Sequence, residues 1–107
     1  MTIKTVDKHT ARELCLFIEN DSGLYRQMYQ PIVKNYAKKV VKKTYNRTLA
    51  VKGVVNLVRE GARKYAKQHG SLGPISQATK EDAARQILSG MISEVRDEAR
   101  KIRAKGH

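Results

Sequence analysis

The chain has 107 residues, of which 40% are apolar, and a formal net charge of +12 at neutral pH. This length leaves no stretch for a second core, so we predict one domain spanning residues 1–107. No apolar run approaches the roughly 18 residues of a membrane span. Cys15 is the only cysteine, which excludes an intramolecular disulfide, and its apolar setting LCLFI favours a buried side chain over a reactive thiol.

The first predicted elements lie N-terminal to Pro31. Thr10 and Glu13 have capping-box spacing, and apolar residues follow at helical intervals, which predicts a helix over residues 10–20. The run LCLFI also fits a buried strand. After the turn signal NDSG we expect a short helix over residues 24–30, because Pro31 disfavours helical backbone at the residue before it.

Pro31 suits the first position of the next helix. Apolar residues follow at i, i+3 and i+4 spacing: Ile32, Val33, Tyr36, Ala37, Val40 and Val41. The polar face of this amphipathic helix is entirely cationic, with Lys34, Lys38 and Lys42 in one row and Lys39 and Lys43 beside it. Like charges at this spacing destabilise a helix by a few tenths of a kcal/mol per pair, so the row becomes favourable when an anion neutralises it.

A further helix is predicted over about residues 47–68, with Asn46 as its cap and Gly70 after its end. Gly53 and Gly61 lie eight residues apart, near one side of this helix. Glycine costs up to about 1 kcal/mol relative to alanine inside a helix. Either a neighbouring helix approaches closely there, or the glycines provide flexibility.

Residues 70–77, rich in glycine, proline and serine, are predicted to form the main connection. Thr79, followed by Glu81 and Asp82, opens a last helix over residues 79–105. The predicted fold is therefore an all-α bundle of three long helices plus one or two short N-terminal helices.

The positive charge is concentrated in the centre of the chain. Residues 31–70 contain eleven basic residues and one acid, Glu60, whereas residues 1–30 carry no net charge and residues 71–107 a net charge of +2. This pattern predicts a basic patch rather than a uniformly basic surface.

The sequence lacks the patterns typical of a catalytic or metal site. His9, His69 and His107 have no cysteine or acid at metal-ligand spacing, and GSLGP lacks the pattern of a phosphate loop. Asp97 and Glu98 are adjacent on a helix and face different ways, which is unsuited to paired acid–base work. We therefore predict no enzyme activity, no metal and no cofactor.

Five tyrosines are interleaved with the basic region, and exposed tyrosines beside cations can stack on the bases of a single strand. Tyr36 and Tyr65 fall on apolar stripes and are predicted to be in the core. The positions of Tyr25 and Tyr29 stay open, and Tyr45 is the best candidate for an exposed ring. A helix–turn–helix is disfavoured, since the N-terminal side of the second central helix offers only Arg47, Thr48 and Lys52 to base edges.

Part of the sequence resembles small uncharacterised basic helical proteins encoded by phages and plasmids. The resemblance covers residues 20–70 and rests on these residues: Leu24, Tyr25, Pro31, Lys34, Asn35, Lys38, Lys39, Tyr45, Leu49, Ala50, Gly61, Ala62, Tyr65, Ala66 and Lys67. It implies a mobile-element origin and a bacterial cytoplasm, and it leaves a role in host takeover open. A cytoplasmic setting also agrees with the single cysteine and with the absence of a signal-peptide pattern in the first twenty residues.

Two functions from different classes fit the basic patch. The first is nucleic-acid binding, largely without sequence specificity, through phosphate contacts from Lys34, Lys38, Lys39, Lys42, Lys43, Arg47, Lys52, Arg59, Arg63, Lys64 and Lys67, with Tyr45 beside them. The alternative is an inhibitor or adaptor that binds an acidic surface of a host protein, with Tyr25, Met28 and Tyr29 as an apolar anchor. DNA or RNA as the ligand, and a homodimer, both stay open.

Overall fold

The computed structural model describes residues 6–105, and within this range every regular element is helical. Helix α1 comprises Lys8–Asn20, α2 comprises Ser22–Leu24, and a π-helical segment comprises Tyr25–Tyr29. Three helices follow, α3 at Gln30–Val41, α4 at Arg47–His69 and α5 at Gln77–Lys105. The predicted all-α bundle is confirmed, and none of the described helices is long and apolar enough to cross a membrane.

Helix α1 begins two residues earlier than predicted, because its cap is Asp7 rather than Thr10. The Asp7 carboxylate accepts hydrogen bonds from the Thr10 backbone N–H at 3.0 Å and from the Thr10 hydroxyl at 2.8 Å. Thr10 thus satisfies its hydroxyl on the cap and lies inside the first turn. The strand alternative for LCLFI is wrong, since Leu14, Cys15 and Ile18 lie on the buried face of this helix.

The predicted break before Pro31 is also wrong, because helical backbone continues from Ser22 to Val41. Gln30 has φ −61° and ψ −44°, and its N–H donates to the Tyr25 carbonyl five residues earlier. A proline ring clashes with the carbonyl four residues before it in an ordinary α-helix. The wider π turn just before Pro31 is the local adjustment that lets the helix pass through this residue.

The C-terminal helix α5 packs against α1, α3 and α4 and forms the centre of the bundle. Its buried stripe runs along most of its length and comprises Thr79, Ala83, Ala84, Ile87, Leu88, Met91, Val95 and Ala99. The Cα atoms extend 52 × 33 × 16 Å. Since packed helices lie about 8–10 Å apart, a thickness of 16 Å corresponds to two layers of helices.

Both glycines of α4 lie where another helix approaches closely, as one of the two alternatives predicted. A β-carbon at Gly53 would collide with the Tyr36 hydroxyl, and one at Gly61 would collide with the Ile18 side chain. The Tyr36 hydroxyl also donates to the Ala50 carbonyl at 2.7 Å. The glycines therefore let α3 and α1 pack directly on the backbone of α4.

The connection between α4 and α5 uses two left-handed glycines, Gly70 at φ +91° and Gly73 at φ +79°. Helix α5 begins at Gln77, two residues before the prediction, because the Ser76 hydroxyl accepts the Thr79 N–H at 3.1 Å. Thr79 is buried and its hydroxyl accepts the Asp7 N–H at 3.0 Å. The starts of α1 and α5 are thereby joined.

Candidate functional site

The lysines at the end of α3 and in the following turn face solvent. Lys38, Lys42 and Lys43 are exposed, and Lys43 adopts the left-handed conformation with φ +61°. The turn is closed by the Lys39 carbonyl, which accepts the backbone N–H groups of Thr44 at 2.8 Å and Tyr45 at 3.2 Å. Three cations are therefore presented at the tip of the α3–α4 hairpin.

Lys34 and Lys39 have different surroundings from these three. The Lys39 ammonium lies 5.9 Å from the centre of the Tyr36 ring, within range of a cation–π contact, and its side chain is half-buried. Lys34 shares a shallow groove with Glu94, Asp97 and Glu98 of α5. Lys34 is exposed and forms no ion pair with a carboxylate of residues 6–105, but it lies in this groove beside α5 and away from the hairpin tip.

Two other predicted cations, Lys64 and Arg63, form ion pairs with carboxylates of the same chain. The Lys64 ammonium lies 2.7 Å from a carboxylate oxygen of Asp21, and that oxygen also accepts the Leu24 N–H at 2.9 Å as the cap of α2. The hydrogen bond from Lys64 has the largest effect on the pKa of Asp21, followed by that from Leu24, and both lower it. Arg63 forms an exposed pair with Glu60 at 3.3 Å. Lys64 thus ties α4 to α2 and is not available to a ligand.

The structure brings other predicted cations together in a groove between the first half of α4 and the start of α5. The groove has a volume of about 650 Å³. We call it the arginine groove, and its lining residues are Arg47, Thr48, Val51, Lys52, Val55, Asn56, Arg59, Gln77, Glu81 and Arg85. Arg85 is absent from the predicted site because no pattern along the chain relates α5 to α4. Asn56 is also absent from the predicted site, although helical spacing places it on one face of α4 with Thr48, Lys52 and Arg59.

The groove adjoins the hairpin tip through Arg47, which follows the turn directly. We define the basic surface as Lys38, Lys42, Lys43, Arg47, Lys52 and Arg59. All six side chains are exposed, and none forms an ion pair with a carboxylate between residues 6 and 105. From Arg47 to Arg59 the α4 part extends about 18 Å, at 1.5 Å per residue. Lys67 is exposed in the last turn of α4, outside this surface.

The tyrosine rings pack on partners within the chain. Tyr36 is buried, as predicted, and Tyr45 lies edge-on to it at 6.0 Å and is half-buried rather than exposed. Tyr65 is half-buried against Phe17 and His69, at 5.3 and 5.0 Å between ring centres, so its predicted core position is only partly correct. None of these three rings is presented freely for base stacking.

The predicted apolar anchor does not form an exposed surface. Tyr29 is 7% exposed and belongs to the core, where it stacks on Tyr25 at 4.9 Å. The Tyr25 hydroxyl donates to Glu94 at 3.2 Å, and Met28 is half-buried. Burial, and then the nearby Glu94 carboxylate, raise the pKa of Tyr29. The anchor is therefore wrong for Tyr29, because Tyr29 is buried and both tyrosines lie beside Glu94 of α5.

Cys15 is 5% exposed and its thiol donates to the Ala83 carbonyl at 3.3 Å. Burial raises its pKa to about 11, and the predicted buried position of this side chain is confirmed. Among residues 6–105 no cluster of histidine, cysteine and acidic side chains is arranged to hold a metal ion. His107 lies outside the described residues.

No protein-family model, no curated protein and no solved structure matches the chain. No function is therefore transferred from a relative. The resemblance to phage- and plasmid-encoded proteins stays a prediction.

Proposed function

We propose that the chain is a small nucleic-acid-binding protein that contacts phosphates through its basic surface. The observation that supports this proposal is the set of six exposed, unpaired cations of the basic surface among residues 6–105. Phosphate binding needs a dense cationic surface and gains free energy from the release of counterions. Such a surface costs a protein stability through self-repulsion when no anion neutralises it.

Low sequence preference is part of the proposal. Reading bases in the major groove takes several polar side chains that reach base edges. Stacking on single strands takes exposed aromatic rings, whereas Tyr36 and Tyr45 pack on each other. Lysine ammonium groups, which supply four of the six cations, are compact charges that contact any phosphate.

The proposed role is binding rather than catalysis, in the cytoplasm of a bacterial host, with a mobile element as the source of the chain. The supporting features are the charge distribution and the resemblance of residues 20–70. An acidic ligand, DNA or RNA, is the partner that this charge distribution favours.

A second function, binding to an acidic host protein, is favoured by one observation. Leu49 is 60% exposed at the start of α4, two residues from Arg47. An exposed aliphatic side chain beside uncompensated cations is suited to a protein interface, where apolar contact gives affinity and charge speeds association. For binding to an acidic host protein, Leu49 is therefore a better apolar contact than the predicted anchor of Tyr25, Met28 and Tyr29.

The test is a mobility shift of nuclease-treated protein with random-sequence duplex DNA, single-stranded DNA and RNA, from low salt to about 0.2 M. The Lys38→Glu/Lys42→Glu variant removes two cations of the basic surface. Its matched control is Arg100→Glu/Arg103→Glu, which makes the same charge change at the exposed end of α5. We expect the first variant to lose binding at about 0.15 M salt and the control to retain it.

Equal binding by both variants would contradict the proposal, because net charge rather than the basic surface would then govern affinity. A parent protein that binds no nucleic acid above about 0.1 M salt, and that loses a stoichiometric protein partner on Leu49→Glu substitution, would support the alternative instead.

A further inference from the structure

The exposed cations differ in chemistry between the hairpin tip and the groove. Lys38, Lys42 and Lys43 supply the tip, whereas arginines from two helices, Arg47 and Arg59 of α4 and Arg85 of α5, surround the arginine groove. A guanidinium is a planar fork that holds one phosphate by two parallel hydrogen bonds, and an ammonium is a point charge. This difference suits the groove to holding a phosphate in one orientation, and the tip to contacting phosphates without orienting them.

We infer that the arginine groove binds one phosphorylated nucleoside unit. Its volume of about 650 Å³ lies inside the range of roughly 300–1,000 Å³ typical of small-molecule sites. Val51 and Val55 supply apolar lining for a base or sugar, and Asn56 and Thr48 supply hydrogen-bonding groups beside them. A phosphate held by a guanidinium group, with its nucleoside against the valines, uses both kinds of lining.

The charge of the groove suits an anion. Arg47, Lys52, Arg59 and Arg85 line it with one carboxylate, Glu81, so four cations against one anion leave a net charge of +3. Glu81 accepts a hydrogen bond from the Gln77 amide at 3.3 Å, which holds it on the α5 side. Arg85 forms an ion pair with Asp82 at 3.9 Å, too long for a hydrogen bond, so its guanidinium donates no hydrogen bond within residues 6–105.

The same chemistry has two sources, a nucleotide unit of a bound strand and a free nucleoside monophosphate. For the first source the inference rests on the proposed function, because the strand would be held by the basic surface while one unit enters the groove. For the second source the groove, which shares Arg47, Lys52 and Arg59 with the basic surface, binds its ligand without a strand on the lysines of the hairpin tip.

The experiment is isothermal titration at low salt with deoxyadenosine 5′-monophosphate, with deoxyadenosine and with inorganic phosphate. We expect one site for the monophosphate, and binding at least about tenfold weaker for the nucleoside and for phosphate alone. The variant Arg59→Gln/Arg85→Gln removes two guanidinium groups that can donate charge-assisted hydrogen bonds to a phosphate. We therefore expect it to lose at least about tenfold in affinity.

The matched control is Arg100→Gln/Arg103→Gln, with the same charge change outside the groove. Both substituted arginines of the groove are exposed, so we expect the core to be unaffected. Circular dichroism and thermal unfolding of the two variants check that both are folded. A 5′-phosphorylated deoxyadenosine trinucleotide separates the two sources. Tighter binding than the monophosphate supports a strand unit, and equal binding supports the free nucleotide.

The inference is overturned if the monophosphate does not bind, or if the groove variant and the control bind it equally. Retained duplex binding in that case leaves the proposed function intact. If the parent protein binds no duplex but binds the monophosphate at one site, the result contradicts the proposed function and supports the groove site.

Discussion

At the scale of single residues, two helical glycines with opposite surroundings give a matched pair of variants. A β-carbon at Gly61 would collide with Ile18 of α1, whereas one at Gly90 of α5 would meet nothing within 4 Å. Overpacking a close contact costs about 1–3 kcal/mol, and alanine gains up to about 1 kcal/mol over glycine in a helix.

We therefore expect Gly61→Ala to lower the free energy of unfolding by about 1–2 kcal/mol and Gly90→Ala to raise it by up to about 1 kcal/mol. Urea denaturation of the two variants beside the parent measures both changes. A stabilising Gly61→Ala would mean that α1 does not pack directly on the α4 backbone.

Asp21 joins a helix cap and an ion pair in one side chain, so its contribution depends on pH. Hydrogen bonds from Lys64 and Leu24 lower its pKa from the ordinary value of 3.8. A carboxyl with a lowered folded-state pKa stabilises the fold above its unfolded pKa, and this stability is lost as pH falls through the folded value.

Asp21→Ala should cost about 0.5–2 kcal/mol at neutral pH, the usual range for a lost cap. We expect the difference from the parent to shrink as pH falls below about 3.8. The unfolded carboxyl takes up its proton first, and the rest of the difference is lost as pH falls through the lowered pKa of the folded carboxyl. Denaturation at a series of pH values measures this, with Lys64→Ala as the control that removes the pair and keeps the cap. A difference that stays constant down to about pH 2 would contradict the assigned role.

Residue patterns predicted short-range features and missed those that depend on tertiary contacts. Asn46 as the cap of α4 followed from its place before a helical stripe, and its carboxamide oxygen accepts the Leu49 N–H at 3.1 Å. Lys64 was included as a ligand contact because its partner Asp21 lies 43 residues away in the sequence. Arg85 was missed for the same reason, since only the packing of α5 brings it to α4.

At the scale of elements, the helices were predictable from the sequence, whereas the uninterrupted helical path through Pro31 was not. The apolar stripes of α4 and α5 extend over six turns or more of 3.6 residues, so the periodic signal outweighs local ambiguity. Between Ser22 and Val41 the chain combines a three-residue α-helix, a π segment and a proline. A π turn changes which residues share a face, and this shift places Tyr29 in the core and Tyr25 at its edge.

The start of α4 gives a prediction for one element. Asn46→Ala removes the side-chain acceptor for the Leu49 N–H and should lower the free energy of unfolding by about 1 kcal/mol. Asn46→Asp keeps an acceptor and serves as the control. Denaturation, with hydrogen exchange at Leu49, follows the effect. Equal stability of Asn46→Ala and the parent would mean that solvent satisfies this N–H as well as the cap does.

At the scale of the whole molecule, the six cations of the basic surface predict a salt dependence. The logarithm of the binding constant for duplex DNA falls with the logarithm of salt concentration, by about 0.9 for each phosphate neutralised. Six contacts predict a slope of about −5, and Lys38→Gln/Lys42→Gln should reduce it to about −4. Fluorescence anisotropy between about 0.05 and 0.2 M salt measures both slopes. A parent slope near zero, or one that the variant leaves unchanged, would contradict the assignment of these cations.

The central position of α5 has a consequence for the order in which the molecule assembles. Asp7 bonds to Thr79 across 72 residues, Cys15 to Ala83 across 68, and Tyr25 to Glu94 across 69. Such distant contacts make folding slower than in bundles whose helices pack on their sequence neighbours. On the ribosome, the nascent chain therefore carries its lysine-rich centre and the unburied face of α1 until α5 has been synthesised, and only then does the core close.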